Sequence, residues 1–101
     1  MLQPIFTGPA RRDLGAIWKH IAADSAEAAD RFVDEVDRRI HLLCAQPTQG
    51  ERDHRVGGCR RVLIGRYLLF YEQAGRELRI LRLYHSARRI EKMRLRPDDS
   101  P

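Results

Sequence analysis

The sequence has 101 residues, of which 43% are hydrophobic and 33% are charged, and its formal net charge at pH 7 is +5. This length favours a single domain, and this composition excludes a disordered chain. No apolar run approaches the roughly 20 residues that cross a bilayer, and no signal peptide is recognised, so we expect a cytoplasmic protein with no membrane partner.

The positive charge is concentrated in the second half of the chain. Residues 1–51 contain six Lys/Arg and eight Asp/Glu, whereas residues 52–101 contain 13 Lys/Arg and six Asp/Glu. This asymmetry indicates an anionic partner, either a nucleic acid or an acidic protein, although arginines that only solvate the surface would give the same count.

The N-terminal segment predicts a strand followed by a helix. Residues 2–7 read as a strand, and Pro4 places it at a sheet edge because proline lacks a backbone donor. Thr7 or Gly8 can cap the helix that follows, and Pro9 suits its first turn. One face of this helix is apolar: Ala10, Leu14, Ile17, Trp18 and Ile21. The spacing indicates that this face is buried, and it assigns Trp18 to the core.

A second helix is predicted after a short link. Asp24-Ser25 caps this helix, Asp24 and Glu27 have the spacing of a capping box, and Pro47 ends the helix. Its apolar stripe comprises Ala29, Phe32, Val33, Val36, Ile40 and Leu43. Two helices joined by a tight link form a helical hairpin, whose apolar stripes need a common surface for burial. Residues 46–58 are predicted to be a loop.

Three strands are predicted in the second half, at 59–64, 67–73 and 77–84. Gly65-Arg66 indicates a two-residue hairpin, and Ala74-Gly75-Arg76 indicates the second turn. Residues 86–94 can form a short helix, and residues 96–101 are predicted to be a disordered tail. The predicted fold is therefore α+β, with an N-terminal strand, a helical hairpin packed on a mainly antiparallel β-sheet and a short C-terminal helix. Residues 1–95 form the single predicted domain.

Basic residues near the strand ends are the candidate contacts with a macromolecular target. Arginine suits this role because its guanidinium group binds phosphate or carboxylate through two hydrogen bonds. Structural roles compete with this interpretation, since Arg60 could pair with a helix carboxylate such as Asp13, and His85 could hydrogen-bond a strand end. We predict that a compact sheet presents these residues together: Arg60, Arg61, His85, Arg88 and Arg89.

The cysteines and histidines predict neither a metal site nor a cofactor. Cys44 and Cys59 do not form a C-x-x-C pair, and no histidine lies at ligand spacing from both. In a reducing compartment they are expected to be small core residues.

The order of these elements, together with several short motifs, resembles the RelE/ParE superfamily of bacterial toxins, and within it the ParE branch. The similarity covers residues 4–92. The residues that carry it are Ala10, Asp13-Leu14, Ala29, Phe32, Leu43, Pro47-x-x-Gly50, Arg60, Gly65-x-Tyr67-x-x-x-Tyr71, Ile80 and His85-x-x-Arg88.

This resemblance implies the toxin of a type II toxin–antitoxin module. ParE relatives typically poison DNA gyrase, whereas RelE relatives cleave messenger RNA in the ribosome. The implied partner is a ribbon-helix-helix, ParD-like antitoxin, which forms a hetero-oligomer with the toxin. In this complex only the antitoxin contacts operator DNA. The resemblance also leaves open a non-toxic relative that only binds its antitoxin.

A RelE-type nuclease would need a base, an acid and cations around the scissile phosphate. The residues that could supply them are Glu51, Arg60, His85 and Arg88. However, no tyrosine follows His85, and the only lysines are Lys19 and Lys92. The sequence therefore favours recognition over catalysis, with the endoribonuclease as the alternative.

The antitoxin is predicted to dock along the groove between the helical hairpin and the sheet, with apolar anchors and acidic side chains. Tyr67 and Tyr71 are four residues apart in a strand and so share a face. The predicted antitoxin-binding residues are Leu14, Trp18, Ile21, Val33, Tyr67 and Tyr71.

Overall fold

A computed structural model of the chain describes residues 1–53 and 58–87. The described elements are, in order, β1 (Gln3–Phe6), α1 (Gly8–Ala22), α2 (Ala26–Ala45), a short 3-10 helix (Pro47–Gln49), β2 (Glu51–Arg52), β3 (Arg60–Ile64), β4 (Tyr67–Ala74) and β5 (Glu77–His85). The predicted α+β arrangement of an N-terminal strand, a helical hairpin and a mainly antiparallel sheet is confirmed. The predicted C-terminal helix, beyond its first two residues, and the predicted tail lie outside the described residues.

The five strands form one sheet in the order β1-β5-β4-β3-β2. β1 pairs with β5 in parallel, and the other neighbouring strands are antiparallel. β1 lies at the edge of the sheet, as Pro4 predicted. The segment predicted as a continuous loop over 46–58 contains the 3-10 helix and β2, which were missed because two paired residues leave no periodic signal.

Both helices begin at a hydroxyl cap. The Thr7 side chain accepts a hydrogen bond from the Ala10 N–H, and the Ser25 side chain accepts one from the Ala28 N–H. Thr7 was one of the two predicted caps. Ser25 was one of the two residues of the predicted Asp24-Ser25 cap, and it occupies the N-cap position. The predicted capping box from Asp24 to Glu27 is wrong, because the helix starts one residue later than that spacing requires.

The helical hairpin covers one face of the sheet and forms the main core with it. Val36, Ile40 and Leu43 of α2 pack there with residues of β3, β4 and β5. A second, smaller cluster lies on the opposite face: Cys59, Phe70, Leu81 and Tyr84. Both sheet faces therefore bury side chains, which explains the nearly continuous apolar character of the strands.

A β-bulge in β5 shifts the alternation of its side chains. Phe70 pairs with Arg82 and Tyr71 pairs with Ile80, so Leu81 is an extra residue on β5. As a result Ile80 joins the main core while Leu81, its direct neighbour, joins the opposite cluster.

Two hairpins with the same loop sequence connect the last three strands. Gly65-Arg66 joins β3 to β4, and Gly75-Arg76 joins β4 to β5. Each glycine has a φ of 60°, and no residue other than glycine has a positive φ in the part of the chain that the structure describes. A positive φ at the first loop position alone is the pattern of a type II′ turn, which requires glycine there. The second turn is one residue shorter than predicted, since Ala74 belongs to β4.

Thr7, the N-cap of α1, and Asp13 of α1 cover the edge of β5 beyond its pairing with β1. The Thr7 hydroxyl donates to the Leu81 carbonyl oxygen at 3.2 Å, and Asp13 accepts a hydrogen bond from the Leu83 N–H at 3.1 Å. This edge would otherwise offer unpaired backbone groups to another strand. Over residues 1–53 and 58–87, the helices are too short or too polar to span a bilayer.

Candidate functional site

Arg60, the first residue of β3, is bound to the segment that precedes β2. Its guanidinium group donates to the Gly50 carbonyl at 2.7 Å and to the Thr48 carbonyl at 3.3 Å. The predicted alternative, in which Arg60 pairs with Asp13, is wrong, because Asp13 pairs with Arg82 on β5, two strands across the sheet from Arg60. Arg60 therefore holds the 3-10 segment against the sheet.

Arg61 points to the opposite face of β3 and is also engaged within the protein. It forms ion pairs with Asp53 at 2.9 Å and with Glu51 at 3.2 Å. The Asp53 side chain is completely buried, whereas 27% of the Arg61 side chain is exposed. A buried carboxylate requires such a partner, so Arg61 has a structural role.

His85 lies at a different place on the sheet from these two arginines. It pairs with Tyr67 in β4, whereas Arg60 pairs with Tyr71. The two positions are about 13 Å apart along β4, with a further separation of two strands across the sheet. The expectation of one cationic cluster is thus corrected, because Arg60 and Arg61 are not close to His85. The other two members, Arg88 and Arg89, lie outside the described residues.

The candidate nuclease residues are likewise separated. Glu51 lies on β2, where it pairs with Arg61 of β3. β5, which carries His85, is three strands away across the sheet, or about 14 Å. Glu51 shares the sheet face of Arg61, whereas His85 contacts Tyr67 on the helix side, with ring centroids 5.3 Å apart. A single proton-transfer site needs its acid and base within hydrogen-bond reach of one substrate. Glu51, Arg60 and His85 do not meet this condition, and Arg88 lies outside the described residues.

Three of the predicted antitoxin contacts line one groove where β1 meets the helical hairpin. This groove, named the Trp18 groove, has a volume of about 530 Å³ and is lined by Pro4, Phe6, Arg11, Leu14, Gly15, Trp18 and Val33. Its lining is largely apolar, with Arg11 as the one cation among these residues. The groove is therefore suited to an amphipathic segment.

Trp18 is not a core residue, contrary to the expectation from helical periodicity. It is 37% exposed, and its indole N–H donates to Asp30 of α2 at 3.0 Å. Phe6 and Gly15 also line the groove and were not predicted from the sequence. A signal for Gly15 was present, since a glycine between Leu14 and Trp18 on the helix surface leaves room beside both side chains; nothing lies within 4 Å of a Cβ built there.

Tyr71 is unavailable to a partner, although it was predicted to be an antitoxin contact. It is 1% exposed, its hydroxyl donates to the Pro47 carbonyl at 2.7 Å, and it accepts from the Gly50 N–H at 2.9 Å. Burial raises the pKa of this phenol, while the Gly50 hydrogen bond and the nearby Arg60 charge act in the opposite direction. Tyr71 therefore fixes the segment after α2.

Ile21 and Tyr67, the remaining predicted antitoxin contacts, line a second groove with His85. This groove, named the His85 groove, has a volume of about 500 Å³. It lies between the link of the helical hairpin and the β3–β4 turn. Its lining residues are His20, Ile21, Asp24, Ser25, Ala28, Arg31, Phe32, Arg66, Tyr67 and His85. Arg31 and Arg66 were not predicted as site residues, because Arg31 lies on a polar helix face and Arg66 lies in a turn, so neither has a distinctive sequence signal.

Comparisons with known proteins agree with this architecture. The family model of the ParE toxin of the type II toxin–antitoxin system parDE matches residues 5–90. Among solved structures, the chromosomal ParDE toxin–antitoxin system from P. aeruginosa contains a chain with 24% identity and a TM-score of 0.73, covering 84% of this chain and 96% of that one. The toxin–antitoxin complex RelBE2 from Mycobacterium tuberculosis contains a chain with 26% identity and a TM-score of 0.55, covering 83% of this chain and 96% of that one. A search of curated protein sequences found no match.

The fold and the family match place this protein in the class of toxin components of type II toxin–antitoxin systems. The chain belongs to the ParE toxin family, as its sequence motifs indicated.

Proposed function

We propose that this protein is a toxin that inhibits DNA gyrase by binding and that a ParD-like, ribbon-helix-helix antitoxin neutralises it. The observation that carries this proposal is the ParE family match over residues 5–90. The separation of Glu51, Arg60 and His85 supports a binding mechanism, because no phosphodiester could contact all three at once.

The target-contacting residues in this proposal are His85 with Arg88 and Arg89, which follow it closely in the sequence. Arg60 and Arg61, originally grouped with them, are assigned a structural role because carbonyl and carboxylate groups of the same chain occupy their guanidinium groups. Arginines near the partly exposed His85 can bind the acidic or DNA-loaded surface of a topoisomerase through charge-assisted hydrogen bonds.

The decisive experiment incubates the purified full chain with gyrase, supercoiled DNA and ATP and measures cleaved DNA–gyrase complex. Accumulation of this complex is expected, and it should disappear in an Arg88→Glu/Arg89→Glu double variant. An Arg76→Glu variant is the matched control, because Arg76 is an exposed arginine at the opposite end of the sheet. Unchanged gyrase activity with a folded wild-type toxin would exclude gyrase as the target.

The Trp18 groove is the proposed antitoxin site. Leu14, Trp18 and Val33 offer an apolar surface between two helices, and Arg11 offers a cation at the rim. An amphipathic antitoxin helix would place apolar residues in the groove and an acidic residue near Arg11. Co-purification with a ribbon-helix-helix protein encoded beside this chain tests the partnership.

A RelE-type endoribonuclease is the second candidate, because the RelBE2 complex contains a chain of similar fold. Primer extension on translated messenger RNA distinguishes the two candidates. New cleavage sites that depend on ribosomes would favour the nuclease, whereas intact transcripts together with trapped gyrase would favour the poison.

A further inference from the structure

The His85 groove contains two exposed arginines whose side chains have no partner in the part of the chain that the structure describes. Over the described residues, the guanidinium groups of Arg31 and Arg66 form neither an ion pair nor a side-chain hydrogen bond. Arg60, Arg61 and Arg82 differ from them, since each is held by a carbonyl or carboxylate group of the chain. The arginines of the groove are therefore free to bind an external anion.

The interior of the same groove is apolar and already shaped. Ile21, Ala28, Phe32 and Tyr67 line it. The rings of Phe32 and Tyr67 meet edge to face with centroids 5.2 Å apart, and Tyr67 meets His85 in the same way. Because these contacts hold the rings in place, a ligand would find the groove preformed.

The charges around the groove are predominantly positive. Arg31 and Arg66 contribute two permanent positive charges, and Asp24 is the one acidic residue in the lining. An occupant with carboxylates beside an apolar side chain would complement both the rim and the interior.

We propose that the His85 groove binds an acidic peptide segment whose large apolar side chain enters between the helical hairpin and the β3–β4 turn, while its carboxylates pair with Arg31 and Arg66. The apolar lining favours a peptide over a nucleic acid, because a nucleic-acid strand would satisfy the cations and leave Ile21 and Ala28 without an aliphatic partner. This inference deepens the proposed function, on which it rests for the existence of a protein partner.

The two identical hairpin loops provide a matched pair of variants for the test. Arg66 and Arg76 each occupy the second position of a Gly-Arg loop, but only Arg66 lines the groove. The Ser86 N–H binds the Arg66 backbone carbonyl at 2.8 Å, a contact that side-chain replacement leaves intact. Arg66→Glu and Arg76→Glu thus change charge equally in equivalent backbone settings.

The probe is a short fluorescein-labelled peptide in which Glu and Leu alternate, and fluorescence anisotropy measures its binding to the full chain. Arg66→Glu and Arg31→Glu should each weaken binding by about tenfold or more, whereas Arg76→Glu should change it by less than about twofold. Replacing every Glu of the peptide by Gln should also weaken binding about tenfold, because the carboxylates are then lost.

Three outcomes would overturn the inference: no binding of the Glu–Leu peptide, equal effects of Arg66→Glu and Arg76→Glu, or tighter binding of labelled oligothymidylate that depends on Arg66. The gyrase assay separates this result from the proposed function. If cleaved DNA–gyrase complex accumulates but the groove binds no peptide, the proposed function is retained and the groove assignment is rejected. If the groove binds the peptide specifically but gyrase is unaffected, the groove assignment is retained and the proposed function is rejected.

Discussion

Asp13 of α1 and Arg82 of β5 form a two-pronged ion pair that joins the helical hairpin to the edge of the sheet. The Asp13 carboxylate accepts from Arg82 Nε at 2.6 Å and from its terminal nitrogen at 3.0 Å. This bond raises the pKa of Arg82, although its partial burial acts in the opposite direction. The Arg82 guanidinium group also lies 4.4 Å from the Tyr84 ring centroid, so the pair connects α1 to both sides of the sheet.

Replacing Asp13 by alanine should therefore lower the free energy of unfolding by about 2 kcal/mol, because Arg82 and the Leu83 N–H both lose their acceptor. Urea denaturation followed by circular dichroism measures this change. Glu35→Ala is the matched control, since Glu35 and Arg38 form a similar two-pronged pair on the exposed surface of α2. A similar loss of stability in both variants would contradict the assigned role of Asp13.

The Tyr71 hydroxyl is expected to contribute to stability rather than to partner binding. Tyr71→Phe should lower the free energy of unfolding by about 1–3 kcal/mol, because the Gly50 N–H and the Pro47 carbonyl lose their partner. Gly50→Ala should be more harmful, since a Cβ at Gly50 would lie 2.8 Å from Tyr71 Cε1 and 2.9 Å from the Arg61 carbonyl oxygen. Thermal melts of the two variants test this order, and a milder effect of Gly50→Ala would disprove it.

Stability should fall at alkaline pH in a way that depends on Tyr71. The pKa of Tyr71 in the folded state is raised above its ordinary value of 10.0, chiefly by burial. The unfolded chain therefore releases this proton at lower pH than the folded chain. The stabilising contribution of the Tyr71 phenol is fully present below about pH 10 and decreases as the pH rises further. Cys44, whose pKa burial also raises, contributes in the same direction.

Comparison with Tyr71→Phe isolates the contribution of the phenol, because Cys44 is common to both proteins. Urea midpoints between roughly pH 9 and pH 11 should decrease more steeply for the wild-type chain than for the variant. Parallel pH curves would show that the phenol at Tyr71 does not contribute to the alkaline loss.

Gly15 offers a way to block the Trp18 groove without disturbing the core. Gly15→Ala should stabilise the protein by up to about 1 kcal/mol, since alanine is the better helix former and its Cβ meets nothing within 4 Å. Gly15→Trp should leave the fold intact but weaken antitoxin binding by about tenfold or more, because the indole would occupy the groove beside Leu14 and Trp18. Isothermal calorimetry with the antitoxin measures the effect, and full affinity of Gly15→Trp would place the antitoxin elsewhere.

Arg61 variants should lose toxicity only to the extent that they lose stability. Arg61→Ala should lower the free energy of unfolding by about 1–3 kcal/mol, because the fully buried Asp53 carboxylate loses an ion-pair partner. Arg76→Ala is the control, since its side chain is exposed, lines neither groove and should leave the thermal midpoint unchanged. If the Arg61→Ala protein is stable but fails to act on its target, Arg61 contributes to target recognition instead.

Local sequence signals were sufficient for the main elements of this fold. Thr7, Pro9 and Pro47 marked helix ends, and the Gly65-Arg66 and Gly75-Arg76 pairs marked the hairpins, because each of these signals acts through neighbouring backbone atoms. The parallel pairing of β1 with β5 left no such signal, since its partners lie more than 70 residues apart in the chain.

The composition of the candidate site was harder to predict for the same reason. Arg60 and Arg61 had the same sequence features as a free cationic patch, and only the three-dimensional positions of Gly50 and Asp53 showed that they are engaged. Periodicity assigned Trp18 to the core because it measures the direction of a side chain on a helix, and it carries no information about whether another element covers that direction.

The parallel pairing of β1 with β5 has a consequence for how the protein folds during its synthesis on the ribosome. Gln3–Phe6 can join the sheet only after Glu77–Ile80 have been synthesised, because β1 pairs with β5, the last of the described strands. Helices of the hairpin can form early, whereas closure of the sheet is delayed until nearly the whole described chain has been synthesised. A nascent chain that stalls before β5 therefore lacks the strand with which β1 pairs, and its sheet cannot close.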